Sequence, residues 1–205
     1  MKTKDKKPEI VVFAGPNGSG KSTVTGLTNV LGDYINADDI KRVLFCDDLE
    51  AAQIAEGQRE GCIAARKDFT FETVLSTDRN LNLLKKAKKD GYFIRCFYVL
   101  TSDPAVNISR VDTRVENGGH KVEPDKIVSR YYKALALLPE LIKVCDVINV
   151  YDNTLKPERI FSKKKDIFRL WENKYWPADR IVQLTGVVDF TEKHLGSDDS
   201  KHPGS

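Results

Sequence analysis

An α/β fold, a parallel sheet with helices on both faces, is what this sequence predicts. Three observations carry it. Apolar, β-branched runs alternate with longer helical patterns along the chain, as they do when parallel strands are joined by crossover helices. The first such run, Glu9 to Ala14, passes through a glycine-rich loop straight into a helical pattern. A length of 205 residues with 40% hydrophobic side chains suffices for one domain with a full core.

In order, the Glu9 to Ala14 run reads as a buried strand, and Ser22 to Leu31 as a helix stopped by Gly32. Tyr34 to Asn36 is a short second strand, and Leu49 to Arg66 an amphipathic helix with Ile54, Cys62 and Ala65 among its less polar positions. Thr70 to Val74 is a third strand, Asn80 to Lys89 a helix stopped at Gly91, and Tyr92 to Leu100 the most apolar strand after the first. Asp103-Pro104 opens the next helix, with Asp103 as N-cap and Pro104 at the first helical position. That helix breaks at Gly118-Gly119; another runs from Pro124 to about Ile142, with a possible kink at Pro139, and Val147 to Tyr151 closes the core sheet. The chain therefore divides into a lead (1–8), a core (9–155), an extension packed on the core (156–195) and a disordered tail or cloning remnant (196–205). In the extension, Arg159 to Lys165 is basic; Ile160, Phe161, Ile167, Phe168 and Leu170 suggest a hairpin that lengthens the sheet. Trp171, Tyr175 and Trp176 either cover a sheet edge or stack on a base or sugar.

The loop reads Gly15-Pro16-Asn17-Gly18-Ser19-Gly20-Lys21-Ser22-Thr23, the spacing Gly-x-x-x-x-Gly-Lys-Ser of a phosphate-binding loop between strand and helix. Glycines let the backbone N–H groups close around an anion, and the helix start adds its own N–H groups and positive dipole end. A triphosphate fits there. Lys21 is expected on the β/γ-phosphates and the Ser22 hydroxyl on Mg²⁺. No second metal carboxylate at the end of an apolar strand is evident.

Open parallel sheets bind ligands beyond the carboxyl ends of their strands. At that rim stands Asn36-Ala37-Asp38-Asp39. We assign Asp39 to helix capping and Asp38 to chemistry, since phosphoryl transfer to a hydroxyl calls for a carboxylate to take its proton. Glu72 lies among apolar neighbours, where a carboxylate needs a partner, so it is expected to face the cleft and meet a substrate or the metal's waters, or else to sit in a salt bridge. Thr73, Ser76 and Thr77 follow, and Thr101 and Ser102 end the next strand; Thr73, Ser76 and Thr101 are candidate substrate contacts. Arg110 and Arg114 share one helix face, and Arg130 stands on the next helix beyond the glycine hinge. Together they describe a lid that excludes water and brings guanidinium charge to the transferred group. His120 is either a phosphate donor or a loop residue.

A net charge of +3 is too small to argue for a nucleic-acid partner. Cys46, Cys62, Cys96 and Cys145 are widely spaced and read as buried thiols. Met1 to Lys7 has no apolar core, and no run is long enough to span a bilayer, so a cytoplasmic location is expected.

The phosphate loop, Ile35-Asn36-Ala37-Asp38, Phe71-Glu72-Thr73-Val74-Leu75-Ser76, the Arg110-Val111-x-x-Arg114-Val115-x-x-Gly118-Gly119-His120 block, Arg130-Tyr131 and Tyr151-Asp152-Asn153 together resemble the zeta-toxin family of P-loop kinases. The resemblance covers about the first 155 residues in order. Val74 stands where relatives often carry a second threonine, and Glu123 separates Val122 from Pro124. It implies transfer of the γ-phosphate of ATP to a hydroxyl of a UDP-linked amino sugar, notably UDP-N-acetylglucosamine. By motif position it gives Lys21 and Ser22 the phosphate and Mg²⁺, Asp38 the proton, Glu72 the substrate, and Arg114 and Arg130 the phosphate charge; an antitoxin protein is a possible partner. Two other readings stay open: a kinase of another small molecule or nucleotide, and a nucleotide-binding regulatory module acting through a protein partner.

Overall fold

The computed structural model describes residues 6–26, 28–119 and 121–194. Its elements are β1 (Glu9–Ala14), α1 (Lys21–Thr25), β2 (Asp33–Ile35), α2 (Ala37–Leu44), α3 (Asp48–Ala64), β3 (Phe69–Thr73), α4 (Asp78–Lys89), β4 (Phe93–Leu100), α5 (Pro104–Glu116), α6 (Pro124–Val144), β5 (Val147–Asp152), β6 (Glu158–Lys164), β7 (Ile167–Trp171), α7 (Ala178–Thr185) and β8 (Glu192–His194). One sheet runs in the order β2-β3-β1-β4-β5-β6-β7-β8. Its first five strands are parallel, β6 runs antiparallel to both β5 and β7, and β8 runs parallel to β7.

The fold follows from two apolar faces. Ile10 and Val12 point one way from β1 into the larger core, with Phe69, Phe71, Ile94, Cys96, Tyr98 and Ile148 from neighbouring strands and side chains from α3, α4, α6 and α7. Val11 and Phe13 point the other way, under Val24 of α1, with Val99 beside them and Leu31, Phe97 and Tyr151 partly covering the cluster. Helices thus stand on both faces, unequally. Because β1 is buried on both sides, it is central, and the loop leaving its carboxyl end sits in the middle of the rim.

Several expectations are corrected. The first helix is one short turn and a half: it ends at Gly26, whose N–H returns to Ser22, rather than running to Leu31. Asp39 does not cap α2. Asn36 does, in extended backbone, its side chain accepting from the Asp38 N–H, while Asp39 pairs with Arg42 one turn on. α6 continues through Pro139 to Val144. The extension's β6–β7 hairpin does lengthen the sheet, and α7 and β8, which the sequence left unread, complete it. Trp176 is 1% exposed, so it is covered area and not a stacking surface. Cys62, Cys96 and Cys145 are buried free thiols, with Cys46 half-buried. Among the described residues no helix is long and apolar enough to cross a membrane. His120 and the 196–205 tail lie outside the described residues.

Candidate active site

The phosphate loop is shaped by close backbone contacts. Gly15 takes φ +140, and a Cβ there would lie 1.9 Å from the Val99 carbonyl oxygen. Gly20 takes φ +84, and its Cβ would meet Asn153 Nδ2 at 2.2 Å. Only glycine allows both the backbone angle and the approach. Gly15 donates to the Thr73 carbonyl (3.2 Å) and Ser19 N–H to that of Pro16 (3.2 Å). Two asparagines brace the loop from beneath: Asn107 Nδ2 donates to the Asn17 carbonyl at 2.5 Å, and Asn153 Nδ2 to that of Ser19 at 2.8 Å. Ser19 is wholly buried, its hydroxyl without a partner. Neither asparagine was assigned a role from sequence. For Asn107 a signal exists: it lies four residues before Val111 on the buried face of α5, where a polar residue needs a reason.

Lys21 opens α1 and donates from Nζ to the Gly15 and Pro16 carbonyls at 2.9 and 3.2 Å. Burial pushes its pKa below the ordinary lysine value; Glu72 and Asp38 oppose that shift and Arg114 adds to it. Glu72, Asp38 and Arg114, picked independently along the sequence, are therefore each within electrostatic reach of Lys21. Ser22 and Thr23 follow on the exposed side of α1.

Glu72 is half-buried, and its partners are hydroxyls rather than a cation. Its Oε1 accepts from Thr25 Oγ1 at 3.0 Å and from the Tyr34 hydroxyl at 2.7 Å. Tyr34 in turn accepts from Asn36 Nδ2 at 3.3 Å, and Asn36 Oδ1 accepts from the Asp38 N–H at 2.9 Å. A short chain of hydrogen bonds thus joins Glu72 to the start of the helix that presents the exposed Asp38. Burial, and then the hydrogen bond to Glu72, raise the Tyr34 pKa. Sequence reading missed Thr25 and Tyr34.

The hydroxyl candidates divide. Ser76 is half-buried, just after Leu75, which takes φ 55 with its side chain in the core. Thr73 Oγ1 is engaged by Asn80 Nδ2 (2.8 Å) and the Leu75 N–H (3.0 Å). Thr101 does not fit a substrate contact. It is fully buried, its hydroxyl bonded to the Asn107 side chain and its carbonyl to the Tyr131 hydroxyl (2.6 Å), so it supports the loop's brace.

Arg110 Nη2 donates to the Thr154 carbonyl at 3.1 Å, and its buried Nη1 has no partner. Arg114 stands one turn on; the Gly119 N–H closes on its carbonyl at 2.9 Å, and a Cβ on Gly119 would be 2.6 Å from Arg114 Cγ. Arg130 Nη1 reaches the Asn17 side chain at 3.5 Å, tying α6 to the phosphate loop. Of these contacts, the one made by Arg130 reaches the phosphate loop directly. A cavity of about 420 Å³ lies elsewhere, at the β2 edge, lined by Asp33, Tyr34, Gln58, Cys62 and Lys67 and by neither Lys21 nor Asp38.

The zeta-toxin family profile matches residues 1–174. The chain belongs to the zeta-toxin family. An uncharacterised protein of Haemophilus influenzae is 28% identical over 127 residues, covering 59% of this chain and 91% of that protein. Among solved structures, this zeta-toxin family chain is similar to one from the PezAT chromosomal toxin–antitoxin system of Streptococcus pneumoniae. That match has a TM-score of 0.53 and 18% identity and covers 77% of this chain and 72% of the other. It is also similar to a chain of the AvrRxo1-ORF1:-ORF2 complex solved with ATP. There the TM-score is 0.64 at 13% identity, over 81% of this chain and 61% of the other. Identities this low show a shared fold.

Proposed function

We propose that this protein transfers the γ-phosphoryl group of ATP to a hydroxyl of a small acceptor, a UDP-linked amino sugar such as UDP-N-acetylglucosamine. The observation that carries the reading is the glycine-shaped phosphate loop itself, with Lys21 donating to the Gly15 and Pro16 carbonyls at 2.9 and 3.2 Å at its mouth. A loop whose glycines admit no side chain, backed by two asparagines, is a cradle for phosphate oxygens. The donor set fits: N–H groups and Lys21 for phosphate, the exposed Ser22 hydroxyl for one position on Mg²⁺, an ion that prefers oxygen ligands. When bound, Mg²⁺ neutralises phosphate charge.

In this reading Lys21 exchanges the Gly15 and Pro16 carbonyls for β/γ-phosphate oxygens. Asp38 accepts the proton of the acceptor hydroxyl; the freed oxygen bonds to the γ-phosphorus as the bond to the bridging oxygen breaks and its electron pair leaves with ADP. Glu72, held by Thr25 and Tyr34 through one oxygen, offers the other to the acceptor, with Thr73 and Ser76 beside it. Arg114 and Arg130 balance the charge of the group in flight, and Arg110 stays on the nucleotide side.

The same reading includes a protein partner, an antitoxin. Support comes from the PezAT neighbour and from the far end of α2, where Val43, Leu44 and Phe45 are 68%, 56% and 94% exposed. The test is incubation with ATP·Mg²⁺ and a panel of nucleotide sugars, nucleosides and aminoglycosides, scanned by mass spectrometry. A gain of one phosphate on UDP-N-acetylglucosamine supports the reading. Phosphate on another compound keeps the mechanism and replaces the acceptor, and ATP binding without any product favours the regulatory module.

A further inference from the structure

The segment from Asn173 through α7, most of it beyond the family-matched residues, is wired to the nucleotide side of the site. Arg180 lies over the Trp176 ring at 3.9 Å and donates through Nη1 to the Tyr175 carbonyl (2.8 Å). Its Nη2 crosses to the core and donates to the Ser102 carbonyl (2.7 Å), just beyond β4. Ser102 N–H donates to the Thr154 hydroxyl (2.8 Å), which donates to Asp152 Oδ1. The other Asp152 oxygen accepts from Asn173 Nδ2 (2.9 Å), which also reaches Glu158 (3.3 Å), while Asn173 Oδ1 accepts from the Tyr175 and Trp176 N–H groups (3.0 and 2.9 Å). Asp152 is 3% exposed, a place a carboxylate holds only when donors surround it.

The turn gripped in this way carries two arms into the phosphate site. Asn153 Nδ2 holds the Ser19 carbonyl at 2.8 Å, and the Thr154 carbonyl holds Arg110 at 3.1 Å. The links from α7 to the loop are hydrogen bonds to backbone, to the half-buried Thr154 hydroxyl and to the buried Asp152, so a shift of the turn moves both arms.

We propose that Asn173 and Arg180 are positioning residues for the nucleotide: they fix the 152–154 turn so that the phosphate loop and Arg110 are held ready for phosphate. The proposal rests on the ATP-binding half of the proposed function, and its test needs no acceptor. ATP affinity is measured by calorimetry, with thermal unfolding alongside, for the wild-type protein, Asn173→Ala, Arg180→Lys and Arg169→Ala. Lysine keeps a cation at Trp176 but lacks the planar fork that spans two carbonyls. Arg169 is the control, in the same extension but paired with Glu192 on the outer strands. Asn173→Ala and Arg180→Lys are each expected to bind ATP about ten-fold more weakly, with cooperative unfolding retained and Arg169→Ala unchanged. Should one variant fail to fold, the other decides. Wild-type affinity in the folded variants, or an equal loss in Arg169→Ala, overturns the proposal and leaves the kinase reading standing. A wild-type protein that binds no ATP overturns both.

Discussion

The side-chain amide of Asn153 donates to the Ser19 carbonyl across 2.8 Å, joining the end of the fifth strand to the middle of the phosphate loop. Gly20 lies against that same amide and takes φ +84, so a methyl group there would collide with Asn153 Nδ2 at 2.2 Å. Gly20→Ala is therefore expected to cost about 1–3 kcal/mol of stability by urea unfolding and to abolish ATP binding. Asn153→Ala, which leaves the buried Ser19 carbonyl unsatisfied, is expected to cost a similar ~1–3 kcal/mol and only weaken ATP binding. Equal ATP affinity in Gly20→Ala and wild type would remove the loop from the nucleotide site.

Asn107 serves two partners at once, the Asn17 carbonyl and the buried Thr101 hydroxyl. Asn107→Leu keeps the volume and strands both. The expected loss is about 1–3 kcal/mol, seen as a lower urea midpoint with an unchanged slope. An unchanged midpoint would mean that the loop is not braced from this helix.

Tyr34 predicts a titration. Burial and its hydrogen bond to Glu72 disfavour the phenolate, so its folded pKa is raised above the ordinary value of 10.0. The stability this contributes is fully present below pH 10 and is lost as pH rises beyond it, because the unfolded chain releases the proton first. Spectrophotometric titration near pH 10 should therefore give the same phenolate amplitude for wild type and Tyr34→Phe. A smaller amplitude in Tyr34→Phe would show that Tyr34 ionises normally and is not held by Glu72.

Much of this was legible because the signals were local. The Glu9 to Ala14 strand and the loop after it are adjacent in sequence, and a buried parallel strand announces itself by an unbroken apolar run. The first helix was overdrawn because Leu27, Val30 and Leu31 keep an apolar rhythm past Gly26, where the chain has already turned. Asp39 was read as the cap from residue type alone; backbone decides, and it is Asn36 that sits in extended conformation before the helix. Thr101 was read as a rim hydroxyl because its place after a strand resembles that of Ser76. What buries it is Asn107 and Tyr131, brought in by two later helices. The link from Glu72 to Asp38 was illegible for the same reason. Tyr34, Asn36 and Asp38 stand within five residues of one another, but Thr25 and Glu72 come from two other elements, and only the fold brings them to Tyr34.

The central claim is that Asp38 takes the acceptor's proton in a phosphoryl transfer from ATP. Its most direct test is the initial rate of phosphate transfer to the accepted nucleotide sugar, followed by mass spectrometry, for wild type and Asp38→Asn at matched ATP saturation. The account predicts a fall of about 10²–10⁴-fold with ATP affinity nearly unchanged. Transfer by Asp38→Asn at the wild-type rate would contradict it.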